Sequence, residues 1–497
     1  MPALFSRVIL MNSSFEQIVS VTDRFAPLFM PKTIAVAGVS GKTIKQGNTF
    51  IRRLRESGFQ GTIYPIHPSE RRLEGLVAYP SLGDTPEIID YAFVAITAER
   101  VPDLLLSARG RVCYAQVMSS GFDESADGQN LSQALVDAAR RGGMRLLGPN
   151  CMGTYSSRGR VSFIDGGIDT AGSIGVMSQS GGLSMDILRH GRSRGLHFSS
   201  LVSLGNCVDI GPNDLLEYFI SDPNTHIIGA YIENVRDGRR FFELLRAANA
   251  SKPFVILKGG RTSQGQRAAA SHTGSLASDD HIWGALAKQT GSILVDSLEQ
   301  FIDILAAFQA CIPCAVIPSG RILLFGNGGG AGVLAADCLA RFGLDVAPLQ
   351  AATAEAIAHL HLPAGASVAN PIDVPANILQ REHGAWAQRI LETICANESP
   401  ETILIHLNLP VILGYRHVDM LDDLIETILR VKRQIGTRSH ILLVLRSTGE
   451  PEIEARKRAR VLQVMKVGIP VFDGLADAAY AAAALHAYAC FRHVRRG

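Results

Sequence analysis

The sequence predicts an α/β fold of parallel sheets with crossover helices. Three observations predict it: short β-branched apolar runs recur down the chain, each ends in a Gly-rich turn, and a longer helical stretch follows most turns. At 497 residues the chain is too long for one core, and its length fits about three domains. Apolar residues at 47% and charged residues at 19% suit a well-buried globular protein and argue against disorder.

The first unit begins at Thr33-Ile34-Ala35-Val36-Ala37. It continues through Gly61-Thr62-Ile63-Tyr64-Pro65 and Tyr91-Ala92-Phe93-Val94-Ala95-Ile96, and closes around Leu146-Leu147-Gly148-Pro149-Asn150-Cys151. A second unit runs from Ser173-Ile174-Gly175-Val176-Met177 to about Phe308. Cys311 to Gly320, with two prolines and a Ser-Gly, reads as a linker. The third unit starts at Arg321-Ile322-Leu323-Leu324-Phe325 and ends in a helix from about Leu475 to His493. The expected organisation is an extension over 1–25, domains over 26–155 and 156–310, a linker over 311–320 and a last domain over 321–497.

The totals exclude several classes. A formal charge of +2 with scattered basic pairs, such as Arg52-Arg53 and Arg239-Arg240, gives no electrostatic footprint for nucleic acid. No run approaches the roughly 18 apolar residues of a membrane span, and Met1 to Leu10 lacks the features of a signal peptide. Eight cysteines spread along the chain, with Cys113, Cys338 and Cys490 in apolar segments, read as reduced core thiols of a cytoplasmic protein. Cys311-Ile312-Pro313-Cys314 has CxxC spacing but no second pair, so no metal site is expected.

In the first unit, Gly38-Val39-Ser40-Gly41-Lys42-Thr43 follows the first strand and invites a P-loop reading. The spacing fails: the required glycine falls at Val36, inside the strand. The dinucleotide pattern fails too, because Gly38-x-x-Gly41 is not GxGxxG and no acidic residue ends the second strand. A glycine turn at a strand end still offers N–H groups to phosphate, and Lys42 and Lys45 add charge. Together with His67-Pro68, the stretch from Thr97 to Pro102, and Gly148-Pro149-Asn150, it reads as a phosphate or nucleotide site.

In a parallel sheet all C-terminal strand ends share one edge, and sites collect there. Four strands of the second unit end in unusual loops: Ser178-Gln179-Ser180-Gly181-Gly182, Gly205-Asn206, Glu233-Asn234, and a long Gly/Ser/Thr-rich loop from Lys258 to about Ser278. That last loop carries Ser271-His272-Thr273-Gly274-Ser275, and Ser278 is expected to cap a helix opening at Asp279-Asp280. A lone histidine in a polar loop is usually a solvated side chain. Here the neighbouring loops supply what a phosphoryl-carrying imidazole needs. Glu233 can orient the ring and fix its tautomer, while Ser178, Ser180 and the helix start at Gly181-Gly182 can receive the phosphate. In the third unit, Gly326-Asn327-Gly328-Gly329-Gly330 lies between a strand and a helix and forms another anion pocket.

These segments, from Leu28-Phe29-Met30-Pro31-Lys32 through Gly148-Pro149-Asn150-Cys151, Ser178-Gln179-Ser180-Gly181, Ser203-Leu204-Gly205-Asn206, Tyr231-Ile232-Glu233 and Ser271-His272-Thr273-Gly274-Ser275, resemble the NDP-forming acyl-CoA synthetase superfamily. That superfamily includes ADP-forming acetate–CoA ligase and succinyl-CoA synthetase. The resemblance implies a CoA-binding Rossmann-like domain over 26–155, then two flavodoxin-like, succinyl-CoA synthetase-like domains. It places Gly38, Ser40, Lys42, His67, Pro68, Thr97, Pro102 and Asn150 near CoA. His67 stands where relatives usually carry Asn. His272 matches the phosphorylated histidine, Glu233 the glutamate that holds it, and Asn327, Gly328 and Gly329 the facing phosphate pocket.

The implied chemistry is reversible and has three steps. Phosphate cleaves the acyl-CoA thioester to an acyl phosphate, His272 takes the phosphoryl group and releases the carboxylic acid, and phosphohistidine passes it to ADP. No segment reads as an ATP-grasp module. The resemblance therefore implies an α-subunit of a hetero-oligomer, with ADP/ATP and Mg²⁺ on an ATP-grasp β-subunit. The alternative is a CoA- or acyl-CoA-binding regulatory protein without turnover. A nicotinamide oxidoreductase is disfavoured by the absent GxGxxG.

Overall fold

The computed structural model describes residues 20–122, 128–168, 170–273, 279–311, 318–367, 369–379, 381–414 and 420–496. The chain divides into two compact units, one running to Asp296 and the other formed by Ser297–Gly497 with the short piece Ser193–Leu196.

The first unit holds two sheets. The strands β1 (Thr33–Ala37), β2 (Thr62–Ile66), β5 (Ile89–Val94), β6 (Val112–Val117) and β7 (Arg145–Leu147) form a parallel sheet in the order β2-β1-β5-β6-β7. Between β2 and β5 lies a small hairpin of β3 (Arg72–Leu73) and β4 (Leu76–Val77). Tyr79 then pairs in parallel with Ile66 as a one-residue third strand, which gives the 3-2-1-4-5-6 order of a Rossmann sheet. The second sheet contains β8 (Gly153–Ser156), β9 (Ile174–Ser178), β10 (Phe198–Ser203), β11 (Ile227–Ile232), β12 (Phe254–Lys258) and β13 (Ile293–Val295), ordered β13-β12-β11-β9-β10-β8. Only β8 is antiparallel; the other five run in the flavodoxin order 2-1-3-4-5.

One apolar core runs through both sheets. Ile34, Val36 and Phe93 of the first belong to the same cluster as Met177, Val202 and Ile228 of the second. The helix Val21–Phe29 packs into this core, so residues from Val21 on are part of the folded body rather than of an extension. Ser20 caps it by accepting from Asp23 N–H at 3.0 Å, and Phe29 stacks on Tyr218 with ring centroids 4.0 Å apart.

The second unit is built on β14 (Ile322–Gly326), β15 (Ile372–Asp373), β16 (Thr402–Asn408), β17 (His440–Arg446) and β18 (Val471–Phe472). All are parallel in the order β15-β14-β16-β17-β18, again 2-1-3-4-5. The closing helix spans Leu475–Arg496 and packs on the helix Leu298–Cys311, with Phe308 edge-on to Tyr488 at 5.4 Å. The sequence placed Leu298–Cys311 with the preceding domain; its contacts group it with the third sheet.

Two local expectations are corrected. The stretch after Lys258 is mostly helix, Ser263–Thr273, and the next helix, Asp280–Thr290, is capped by Asp279, whose carboxylate accepts from His281 N–H at 2.9 Å. Ser278, the expected cap, lies outside the described residues, as does Cys314 of the CxxC pair. Cys151 and Cys207 are buried, in keeping with core thiols; Cys311, expected in the linker, is buried as the last residue of the helix Leu298–Cys311, and Cys113, Cys338 and Cys490 are partly exposed. No helix among the described residues is long and apolar enough to cross a membrane.

Candidate active site

Each sheet reverses its strand order at one point, where a crevice opens at the C-terminal strand ends; Gly38, Ser40, Lys42 and Thr97, then Ser178, Ser180 and Glu233, then Asn327 follow the strands beside those points, whereas His67-Pro68, Asn150 and His272 follow strands away from them. In the first sheet the crevice lies between β1 and β5. Gly38 ends β1 with φ +96°, and a Cβ there would stand 2.2 Å from the Ala95 carbonyl oxygen. Only glycine fits so close to the neighbouring strand. The Ser40 hydroxyl accepts from Lys42 N–H at 3.2 Å and Thr43 N–H at 3.4 Å.

Asn48, buried at 3% exposure, uses its whole carboxamide here: Oδ1 accepts from Ser40 and Lys45 N–H, and Nδ2 donates to the Ser40 carbonyl and to Glu74. These bonds occupy several of the amides expected to face a phosphate. The Lys42 and Lys45 side chains are exposed at the turn. His67 Nδ1 accepts from Ser69 N–H at 3.3 Å and Glu70 N–H at 3.0 Å, which closes the turn that carries Pro68. Thr97 precedes a 3₁₀ turn at the end of β5, and Pro102 occupies the first turn of the helix Val101–Leu106.

The second crevice lies between β9 and β11. Ser178 is fully buried, and its hydroxyl both donates to the Ser180 carbonyl and accepts from Ser180 N–H. Ser180 Oγ caps the helix Gly181–Ser193 by accepting from Leu183 N–H at 3.3 Å, leaving Gly181 and Gly182 as the open helix start. Glu233, 8% exposed, follows β11 on the other side of this crevice. Its Oε1 accepts from the Tyr231 hydroxyl at 2.9 Å, and its Oε2 is buried with no hydrogen-bond partner among the described residues. Burial, then the Glu233 charge, raises the Tyr231 hydroxyl well above its ordinary range, so it stays a donor.

Gln179 fixes the turn that presents this carboxylate. Its Oε1 accepts from Glu233 N–H at 2.6 Å and Asn234 N–H at 2.9 Å, while its Nε2 donates to the Asn234 carbonyl at 3.0 Å. Lys258, buried and with its ammonium 5.5 Å from the Trp283 ring centroid, donates to the Glu233 carbonyl at 2.9 Å. Reading the residues alone assigned no role to Gln179, Tyr231, Lys258 or Asn48. Gln179 was within reach, since it sits between two predicted phosphate ligands at a switch point. His272 lies in the last turn of the helix Ser263–Thr273, and its side chain is outside the described residues.

Between the first and second crevices is a cavity of about 280 Å³, lined by Met118, Asn150, Cys151 and Met152 on one side and by Gln179, Ser180, Gly181, Gly182, Gly205 and Asn206 on the other. Its walls are joined by backbone: Asn206 N–H donates to Pro149, Val208 N–H to Gly148 and Ile210 N–H to Leu146. Gly205 has φ +59°, and a Cβ would meet the Pro149 carbonyl oxygen at 2.2 Å. Gly205→Ala should therefore destabilise the fold by about 2–4 kcal/mol, read as a lower urea midpoint. Gly182→Ala, where a Cβ meets nothing within 4 Å, should cause no loss; equal midpoints for the two variants would refute this account.

At the third crevice, Asn327 Oδ1 accepts from Asn408 N–H at 2.8 Å, bracing the turn across to β16. The helix Gly329–Arg341 starts at the turn, but the Asp373 carboxylate already accepts from Gly328 N–H at 2.7 Å. The predicted anion pocket of Asn327, Gly328 and Gly329 thus holds an anion of the chain's own. A cavity of about 230 Å³ adjoins it, lined in part by His406, whose imidazole burial holds down to about 4.

Residues 32–157 match the CoA binding domain family and residues 171–308 the succinyl-CoA ligase like flavodoxin domain family. The α-subunit of ADP-forming acetate–CoA ligase II from Pyrococcus furiosus is 30% identical over 460 residues, covering 92% of this chain and 96% of that one. The chain belongs to the NDP-forming acyl-CoA synthetase superfamily. Within it, the chain spans about half the length of ADP-forming acetate–CoA ligase I from Archaeoglobus fulgidus, with 35% identity over 350 residues. Its fold matches the dinucleotide forming acetyl-coenzyme A synthetase 1 of Candidatus Korarchaeum cryptofilum, solved in complex with phosphate and ADP. That match has a TM-score of 0.81 and 29% identity, covering 94% of this chain and 97% of that one. The architecture is thus a Rossmann-like CoA-binding domain followed by succinyl-CoA ligase-like parallel-sheet domains.

Proposed function

We propose that this chain is the α-subunit of an ADP-forming acyl-CoA synthetase that interconverts acyl-CoA, ADP and phosphate with a carboxylic acid, CoA and ATP. The observation that carries the reading is Glu233, a buried carboxylate with one oxygen unmatched among the described residues, held by Gln179 of the turn that leads into the helix at Gly181. An unpaired buried acceptor costs about 1–3 kcal/mol, and an imidazole N–H arriving from the His272 segment would relieve that cost.

Residues 26–155 bind CoA, with Gly38, Ser40, Lys42, His67, Pro68, Thr97 and Pro102 along the nucleotide and Asn150 toward the thioester. Residues 156–310 and 321–497 form the domains that handle the phosphoryl group. Phosphate seated by Ser178, Ser180, Gly181 and Gly182 attacks the thioester carbon; the acyl phosphate forms and CoA leaves as the thiol. His272, with Glu233 holding its far nitrogen, then attacks phosphorus and the carboxylate departs. The Asn327–Gly329 helix start is a second candidate phosphate site, for which the Asp373 carboxylate on Gly328 N–H has to give way. An ATP-grasp β-subunit supplies ADP with Mg²⁺ and completes a hetero-oligomer. We further read the protein as cytoplasmic, in keeping with cysteines spread along the chain without paired spacing.

Incubating the folded chain with a panel of acyl-CoAs and radiolabelled phosphate tests this. The expected product is a phosphoprotein whose label is lost in acid and kept in base. A chain that binds CoA yet takes up no label from any acyl-CoA would instead be a binding protein without turnover.

A further inference from the structure

Tyr231 is the last residue but one of β11, and Glu233 follows that strand. Two positions apart at a strand end, their side chains leave on one face, and the Tyr231 hydroxyl donates to Glu233 Oε1 at 2.9 Å. Tyr231 also stands in register with Ser178 of β9 and Leu257 of β12, and its carbonyl accepts from Gln179 N–H at 3.1 Å. On the β12 side, Gly259 N–H donates to the Ile232 carbonyl at 2.9 Å, and the Lys258 ammonium donates to the Glu233 and Gly259 carbonyls. A Cβ at Gly259 would stand 2.7 Å from the Tyr231 hydroxyl oxygen and 3.3 Å from Glu233 Cγ. The missing side chain there is the space in which the hydroxyl meets the carboxylate.

Resting on the phosphohistidine reading above, we infer that Tyr231 is a positioning residue for that step: its hydroxyl occupies Glu233 Oε1 and so presents Oε2 to the His272 imidazole. A carboxylate turns readily about its last bond, which exchanges its two oxygens. Oε2 is buried with no partner among the described residues, and the Tyr231 donor decides which oxygen is left in that state. A hydroxyl bonded to a carboxylate makes a charge-assisted bond, roughly twice as strong as one between neutral groups. That bond offsets part of the cost of holding the charge away from water. Burial, then the Glu233 charge, keeps the proton on Tyr231, so the direction of donation does not reverse. Tyr231 acts through Glu233 and is assigned no contact with the phosphoryl group.

The test follows the rate at which the folded chain takes up label from labelled phosphate and the acyl-CoA panel. Tyr231→Phe removes the donor and keeps the ring. At saturating acyl-CoA and phosphate its rate should fall about tenfold, with both half-saturating concentrations within about twofold of wild type. In Glu233→Gln the carboxylate that the hydroxyl presents is gone, so adding Tyr231→Phe should change the remaining rate by less than about twofold. A hydroxyl that merely supports the fold would cost the same factor in both backgrounds. The proposal falls if folded Tyr231→Phe labels at the wild-type rate, or if its tenfold loss persists undiminished in Glu233→Gln. Should Tyr231→Phe not fold, Gly259→Ala decides: its methyl displaces the hydroxyl from the carboxylate, so the same coupled loss is expected, and a folded variant at the wild-type rate overturns the proposal. A wild-type chain that takes up no label overturns the assigned function and this role with it, whereas a labelled wild type beside an unaffected variant overturns the role alone.

Discussion

His272→Ala should abolish the acid-labile phosphoprotein while leaving CoA affinity within a few-fold. Alanine offers no nitrogen to attack an acyl phosphate, so the loss is complete rather than graded. It is also among the best helix formers, and position 272 lies in the last turn of the helix Ser263–Thr273, so the backbone has no reason to change. CoA is assigned to the first sheet, built on residues far from this helix in the chain. Residual acid-labile label would mean that another side chain carries the phosphoryl group. A parallel loss of CoA binding would instead overturn the domain assignment.

Glu233→Gln should reduce phosphohistidine formation by roughly 10- to 1000-fold, about 1.4–4 kcal/mol of barrier. The carboxamide is the same size, and its oxygen can still accept from Tyr231. The difference falls on the second position, where Oε2 now lies buried without a partner among the described residues. An NH₂ there would point a donor at a ring N–H, and the imidazole would lose both its orientation and the charge that stabilises its cationic form. Burial strengthens the effect, because water cannot replace the missing acceptor. Labelling within a few-fold of wild type would remove Glu233 from the mechanism.

Much of this fold is legible in the sequence because its strands are buried on both faces. Thr33–Ala37 and Ile227–Ile232 read as continuous apolar runs with clear turn residues after them, and they fold with those bounds. The segment after Lys258 misled because its Gly and Ser punctuation suggests a loop, whereas Ala268-Ala269-Ala270 among Gln and Arg favours helix. The helix cap slipped by one residue from Ser278 to Asp279, both good capping types.

Side chains that act at a distance were the least readable. Gln179 reaches Glu233 across 54 positions, Asn48 reaches Glu74 across 26, and Asp373 reaches Gly328 across 45. No local pattern encodes such pairs; they become evident only once the strand order sets neighbouring turns side by side. The Asn370-Pro371-Ile372-Asp373 segment shows the same limit, since its role at the Gly328 turn follows from β15 lying beside β14.

The shared apolar core of the first two sheets, together with the bonds from Asn206, Val208 and Ile210 to Pro149, Gly148 and Leu146, fixes how far apart the walls of the 280 Å³ cavity stand. A chamber braced in this way cannot widen by one half swinging off the other. Any widening has to come from side chains that fold aside, and Met118 and Met152, unbranched thioethers on its wall, are free to do so.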